Sequence, residues 1–258
     1  MKIYLNYLKL HLKSLFEYKS SLILSIISQI LVFFSFTFVI TSMFNKFSNI
    51  KGFTLYEVLF TFSIINFGYA INEVFARGLD QFDDLIITGD FDRLLLRPVN
   101  ILTQVIGFKI QYVKVVRIIY SLIIMINSLY NLHITWNIYR VLTLIFMLIS
   151  SISIYFSIFL LTASYCFITV QGLEIRNVLT DGGKNIAQYP MGIFPKSILK
   201  FFTFIIPYSL VNYYPLLFFL GKSSKLTYMF LPLVVLLYII PSVILFNRGA
   251  RKYLSTGS

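Results

Sequence analysis

Acidic residues are scarce in this chain, ten in 258, and charged residues of both signs make up only 12%. An ordinary soluble domain carries about a quarter. So little polar surface cannot coat a globule of this size, which excludes a water-soluble fold and leaves lipid as the solvent. Cysteine is nearly absent. Cys166 alone excludes an internal disulfide, and in its apolar run it reads as a small packing residue. The two histidines, His11 and His133, have no Cys, Asp or Glu at ligand spacing, so neither a metal site nor a catalytic cluster is expected. A phosphate-binding loop is missing as well. Gly221-Lys222-Ser223 ends like one, but Leu216 stands where its first glycine must be. Asp181-Gly182-Gly183-Lys184 fails too, with Val178 and Asn185 at the required positions. The chain is therefore expected neither to hydrolyse ATP nor to hold a cofactor of its own.

What is present is apolar. Hydrophobic residues make up 58%, mean hydropathy is +0.81, and there are 27 Phe and 18 Tyr. Phe suits the acyl region and Tyr the interfaces. This composition predicts one all-α integral membrane domain over 1–258. The run 22–44 has no charge and is long enough to cross a bilayer core at about 1.5 Å per residue. About 21 residues precede it and no small-residue cleavage site follows, so it does not read as a cleavable signal. Further spans are expected near 54–76, 103–131, 139–164 and 227–247. Between the last two lie a polar half, 165–190, and an apolar, proline-punctuated half, 191–221. Either could be the fifth of six crossings.

Positive charge orients the chain. Lys2, Lys9, Lys13 and Lys19 precede the first span. Arg77, Arg93 and Arg97 follow the second, and Lys109, Lys114 and Arg117 begin the third. Arg248, Arg251 and Lys252 follow the last. Both termini and the loop 77–100 are thus expected in the cytoplasm. The net charge of +12 is a topology signal, and nucleic acid is not an expected partner. Residues 2–19 alternate lysines with a broad apolar side (Ile3, Tyr4, Tyr7, Leu8, Leu10, Leu12, Leu15, Phe16), as in a helix lying among lipid headgroups. A solvated, unstructured orientation signal would fit the same residues.

The loop 77–100 is the most informative piece. Glu73, Arg77, Asp80 and Asp84 follow at steps of four, three and four, so they share a helix face. The second span is expected to run on into the cytoplasm, with Leu79, Phe82, Leu85 and Ile86 as its apolar side. Thr88-Gly89 stops it, Asp90 caps a second short helix over 91–96, Leu94 to Leu96 anchor that helix, and Pro98 ends it. The product is an elbow at the membrane surface. The bland alternative is a solvated connector.

Gly89-Asp90-Phe91-Asp92-Arg93-Leu94-Leu95-Leu96-Arg97-Pro98-Val99 resembles the cytoplasmic signature of type-2 ABC-transporter permeases, in the six-span subgroup of about 260 residues. Tyr189-Pro190, Pro195, Pro207 and Tyr214-Pro215 resemble that subgroup's second block. The resemblance implies that the loop docks into a separate ATP-binding subunit. Gly89, Asp90, Asp92, Arg93, Arg97 and Pro98 would then form the coupling surface, with ATP and magnesium bound by the partner. It also implies that 191–221 forms re-entrant outer helices, a gate built on Tyr189, Pro190, Pro195, Pro207 and Pro215. A plain span kinked at Pro207 is the alternative. If the gate is re-entrant, the fifth crossing is about 165–190. Its Glu174, Arg176, Asp181 and Lys184 would line a pore between two permeases; otherwise they sit in a cytoplasmic loop. A second copy or a sister permease and membrane lipids complete the implied partners.

The function so implied is the membrane-spanning subunit of an ATP-driven exporter. A membrane immunity or accessory protein that binds a toxic peptide or lipid without pumping it is the reading from another class. Richness in Ile, Lys, Asn, Phe and Tyr suggests an AT-rich bacterial genome, hence a bacterial cytoplasmic membrane. The substrate is not written in the sequence.

Overall fold

The computed structural model describes residues 2–169 and 177–253. Amphipathic α1 (Lys2–Glu17) leads into α2 (Lys19–Lys46), and α3 (Leu55–Phe75) follows. Four short helices then form the elbow region: α4 (Arg77–Asp80), α5 (Phe82–Ile87), α6 (Asp90–Leu95) and α7 (Ile101–Phe108). A single turn at Tyr112–Lys114 opens α8 (Val115–Asn131), and α9 (Ile138–Cys166) is the longest helix described. A π-helical turn at Val178–Gly182 continues into α10 (Gly183–Ala187). Next come α11 (Lys196–Phe204), α12 (Tyr208–Asn212) and α13 (Tyr214–Phe219), and finally α14 (Thr227–Leu236) and α15 (Ile239–Lys252).

Among the described residues, five helices are long and apolar enough to cross a membrane: Lys19–Lys46, Leu55–Phe75, Tyr112–Asn131, Ile138–Cys166 and Thr227–Lys252. A sixth would be made by α11 with α12–α13, which meet at a 92° bend. The chain is an all-α integral membrane protein.

The bundle is built around α3, buried along most of its length and packed on α8 and α9. Small and polar residues allow that approach, as membrane helices require. A Cβ on Gly68 would lie 2.4 Å from the Ser151 carbonyl carbon, so glycine is what lets α3 touch α9. The Asn72 side-chain amide donates across to the Ile152 carbonyl at 2.8 Å. Serine and threonine hydroxyls buried on α9 donate back along their own helix; Ser150, Ser157 and Thr162 do so at 3.0, 2.9 and 3.0 Å. That satisfies them where no water is present. By contrast, α2 buries only Phe33, Thr37 and Ile40, and the rest of its apolar surface is left for lipid.

Two apolar cores stack along the bundle. One joins the elbow to the middles and ends of α9 and α15. The other gathers Phe53, Phe60, Phe62, Met147, Leu216 and Phe219 near the start of α3.

Two expected continuous helices are broken. The second span does not run smoothly into the elbow; it stops at Ala76 (φ −132°) and breaks again at Gln81 (φ −108°). Gly78 explains the fold-back, because a Cβ there would sit 1.9 Å from the Val105 carbonyl oxygen, so α4 lies directly on α7. The third span, expected over 103–131, is interrupted around Lys109–Gln111. There the Gln111 amide donates to the Val74 carbonyl at 3.2 Å, and Lys109 and Lys114 turn to acidic partners on different elements.

Candidate functional site

The elbow has a buried apolar side and exposed residues between its short helices. Leu79, Phe82, Leu85 and Ile86 are all buried, as their spacing predicts. Phe91, the centre of the motif, is fully buried and meets Phe82 edge-on at 5.0 Å and Tyr253 at 5.0 Å. Phe82 also contacts Phe167 at 4.9 Å and Phe246 at 5.6 Å. Each such aromatic pair adds about 0.5–1.5 kcal/mol beyond burial. The knot fastens the elbow to the ends of α9 and α15. The role of Phe91 is not visible in the sequence, because one aromatic in a charged decapeptide shows no periodicity.

Gly89 joins the two limbs at φ +71°, the left-handed region that favours glycine. It, not Asp90, occupies the cap position of α6. Asp90 is the first helical residue, and its carboxylate accepts from the Thr88 hydroxyl at 3.0 Å and from Arg93 at 3.1 Å. Gly89→Ala should cost about 1–2 kcal/mol through strain alone, read as a lower melting midpoint in detergent with secondary structure unchanged.

Arg93 is 80% exposed, and its pair with Asp90 is the kind worth under about 1 kcal/mol in water. It is therefore able to exchange Asp90 for a partner's charge. Leu94 is buried and anchors α6, but Leu95 and Leu96, expected to anchor it as well, are 37% and 86% exposed. Residues 94 and 96 fall on different sides of a helix that ends at Leu95. Ile87 and Leu96 are thus exposed apolar side chains of the elbow, and Pro98 is exposed as well. Arg97 reaches back, donating to the Tyr7 hydroxyl at 3.3 Å.

That contact is one of several binding α1 to the elbow. A Cβ on Gly107 would lie 2.5 Å from the Tyr7 ring. The Tyr112 hydroxyl donates to the Leu8 carbonyl at 2.9 Å, and Tyr4 donates to Phe75 at 2.9 Å. Burial, with Tyr112 adding to it, pushes the Tyr4 hydroxyl up to about 12, so it remains a donor at neutral pH. An open cleft of about 480 Å³ lies between α1 and the elbow, lined by His11, Asp84, Ile87, Asp90 and Lys109.

Behind the elbow lies a buried charge cluster. Glu73, near the end of α3, is 2% exposed. It pairs with Arg117 at 2.5 Å and with Lys114 and Arg77 at 3.6 Å each, and Arg77 also holds Asp80 at 2.8 Å. Gln29 of α2 accepts from Arg117 at 2.6 Å. The predicted face is real for Glu73, Arg77 and Asp80. Asp84 departs from it and pairs with Lys109 at 3.3 Å. The partners at the start of α8 and in the turn before it, Arg117 and Lys114, have no sequence signal, because they are distant in the chain.

One turn further along α3 the polar chain continues. The Tyr69 hydroxyl donates to Asp181 at 3.0 Å. Lys184 pairs with Asp181 at 3.4 Å and lies 4.4 Å above the Tyr69 ring. Of the four residues suggested as pore-lining, Asp181 and Lys184 are therefore together, and Glu174 and Arg176 lie outside the described residues. Beside them, the Tyr208 hydroxyl donates to Leu179 at 3.3 Å, and the Asn212 amide donates to the Ala187 carbonyl.

The prolines expected to shape the outer helices stand at helix boundaries. Pro195 and Pro207 cap α11 and α12, and Pro215 lies in the first turn of α13, which it starts and does not interrupt. Pro190 precedes a one-turn helix, and Tyr189 packs against the second core. At the far end Gly221 turns with φ +74°, and Lys222 pairs with Glu57 at 2.6 Å while lying over Phe53 at 4.5 Å. Glu57 also accepts from the Thr54 amide at 2.9 Å.

The sequence profile of the ABC-2 family transporter proteins matches residues 26–257. The chain belongs to this family. It is a membrane-embedded component of ABC-type transport, and the match takes in both the elbow and the proline-rich block. No curated protein and no solved structure matches the chain significantly.

Proposed function

We propose that this ABC-2 family protein is the permease subunit of an ATP-driven exporter in a bacterial cytoplasmic membrane, forming half of a translocation path. The observation that carries the reading is the elbow: held in an aromatic cluster by Phe82 and Phe91, yet exposing Ile87, Arg93 and Leu96. A loop that only joined two spans would need no such mounting. A separate ATP-binding subunit, holding ATP and magnesium, grips the elbow with Asp90, Asp92, Arg93, Arg97, Gly89 and Pro98 forming or shaping the contact. Closure on ATP then drives the bundle between two access states.

The contacts support an arrangement with α1, the elbow and the C-terminal helix at one end, which the lysines and arginines assign to the cytoplasm. They also support a fifth crossing over about 165–190, of which residues 170–176 lie outside the described ones. Phe167 lies in the elbow's aromatic knot, Asp181 and Lys184 touch Tyr69 beside mid-bundle, and Tyr189 reaches the second core. The bent pair α11 and α12–α13 then dips in from the outer side and returns. Nine residues of α11 make roughly 14 Å of helix, less than half a bilayer core. The bond of Lys222 to Glu57 ties the returning limb to the start of α3. Re-entrant backbone of this kind survives where protein buries it, and Tyr208, Val211 and Asn212 are buried.

Purification of the tagged chain from its native membrane in mild detergent, with identification of what accompanies it, tests the reading. A stoichiometric subunit with phosphate-loop sequence, with or without a second six-span permease, is expected. A clean preparation lacking any nucleotide-binding protein, repeated after crosslinking, would move the assignment to a non-pumping immunity or accessory protein.

A further inference from the structure

The segment 177–188 has two unlike faces. Thr180, Gly183, Lys184, Ala187 and Gln188 are buried. Asn177, Val178, Asp181 and Asn185 are exposed, the three polar ones at steps of four. Lipid is a poor cover for two amides and a carboxylate at membrane depth. The depth follows from the partners: Tyr69 of α3 holds Asp181, and Tyr208, against Tyr155 of α9, holds Leu179. The ion pair is also asymmetric. The Lys184 side chain is 11% exposed and its ammonium is turned onto the Tyr69 ring, whereas the Asp181 side chain is 54% exposed. What this face offers is a carboxylate between two amides, with the neutralising cation behind it. The π-helical turn at Val178–Gly182 lies in the middle of the stripe, a distortion often found at functional positions.

From this juxtaposition we propose that Asn177, Asp181 and Asn185 form a cargo-contacting stripe that selects for a hydrophilic solute bearing a positive charge. The charge complementarity points to a cation and not to an uncharged lipid or an apolar drug. Asp181 is the specificity-determining group, Asn177 and Asn185 supply hydrogen bonds on either side, and Tyr69 and Lys184 position the carboxylate. The inference rests on the permease reading and deepens it.

Cysteine accessibility tests it in membranes containing the full chain and its ATP-binding partner. Cys166→Ala removes the native thiol, and Asn177→Cys or Asn185→Cys supplies a single new one. The probes are a trimethylammonium-ethyl and a sulfonato-ethyl methanethiosulfonate, each rate divided by that of the same reagent with a simple thiol in solution. Both cysteines are expected to react, the cationic probe about tenfold faster. Asp181→Asn should remove the preference and Asp181→Glu keep it, and Ala187→Cys should stay unmodified. Equal rates for the two probes would overturn the charge selection. No reaction at 177 and 185, or a disulfide between copies that blocks them, would assign the face to lipid or to a second copy and overturn the stripe. Failure of the permease reading shows separately, as absence of the ATP-binding subunit from the purified protein.

Discussion

The double variant Arg93→Glu, Leu96→Asp is expected to lower ATP-dependent transport at least tenfold and to release the ATP-binding subunit during purification. Stability should stay within about 0.5 kcal/mol of wild type, as for ordinary surface changes. Both side chains point away from the core, Arg93 at 80% and Leu96 at 86% exposure. Their loss therefore removes a surface and no packing. Reversing a charge at such an edge also places like charges together, which disfavours the encounter. Phe91→Ala is the opposite case. It empties a fully buried site between Phe82 and Tyr253 and should cost about 3–5 kcal/mol, with less protein reaching the membrane. Transport per surviving molecule separates the two: low for the surface variant, closer to wild type for the folded fraction of the core variant. Undiminished transport in the surface variant would remove the elbow from the coupling mechanism.

The second large effect is expected at Glu73. Glu73→Gln leaves Arg117 and Lys114 without the buried carboxylate they share, while Arg77 keeps Asp80. Stranding charge in a low-dielectric site costs about 3–5 kcal/mol, which for a chain of this size lowers the melting midpoint by roughly 10 °C. The cluster joins α3, α8 and, through Gln29, α2 at the root of the elbow. Glu73→Gln with Arg117→Leu should therefore recover part of the loss, since it removes a charge together with its partner. A single variant that melts with wild type would mean that the cations find water, and that the cluster does not clamp the bundle.

The span pattern was legible because a long uncharged run, in a chain this poor in polar residues, has lipid as its natural surroundings. The expected 54–76 and 139–164 correspond to Leu55–Phe75 and Ile138–Cys166 within two residues at each end. The apolar side of the elbow was legible through its period, since Leu79, Phe82, Leu85 and Ile86 keep helical spacing across a break at Gln81. The breaks themselves were not. They depend on Gly78 meeting Val105 and on Lys109 meeting Asp84, contacts between distant segments that leave no local mark. Four charges over 174–184 marked a polar segment in the sequence, but not that Lys184 turns inward while Asp181 faces out. Asn177 and Asn185 carry no charge, so only the four-residue step they share with Asp181 marks them, and that step gains meaning once the buried face is known.

The most direct test of the account is a photocrosslinking amino acid placed at Leu96 in otherwise native membranes. An adduct with an ATP-binding subunit, changed in yield by ATP and absent when the same group replaces Trp136 at the opposite end of the bundle, is the expected result. Failure to trap any ATP-binding protein at Leu96, with the chain correctly inserted, would contradict the claim that this elbow receives the force that drives transport.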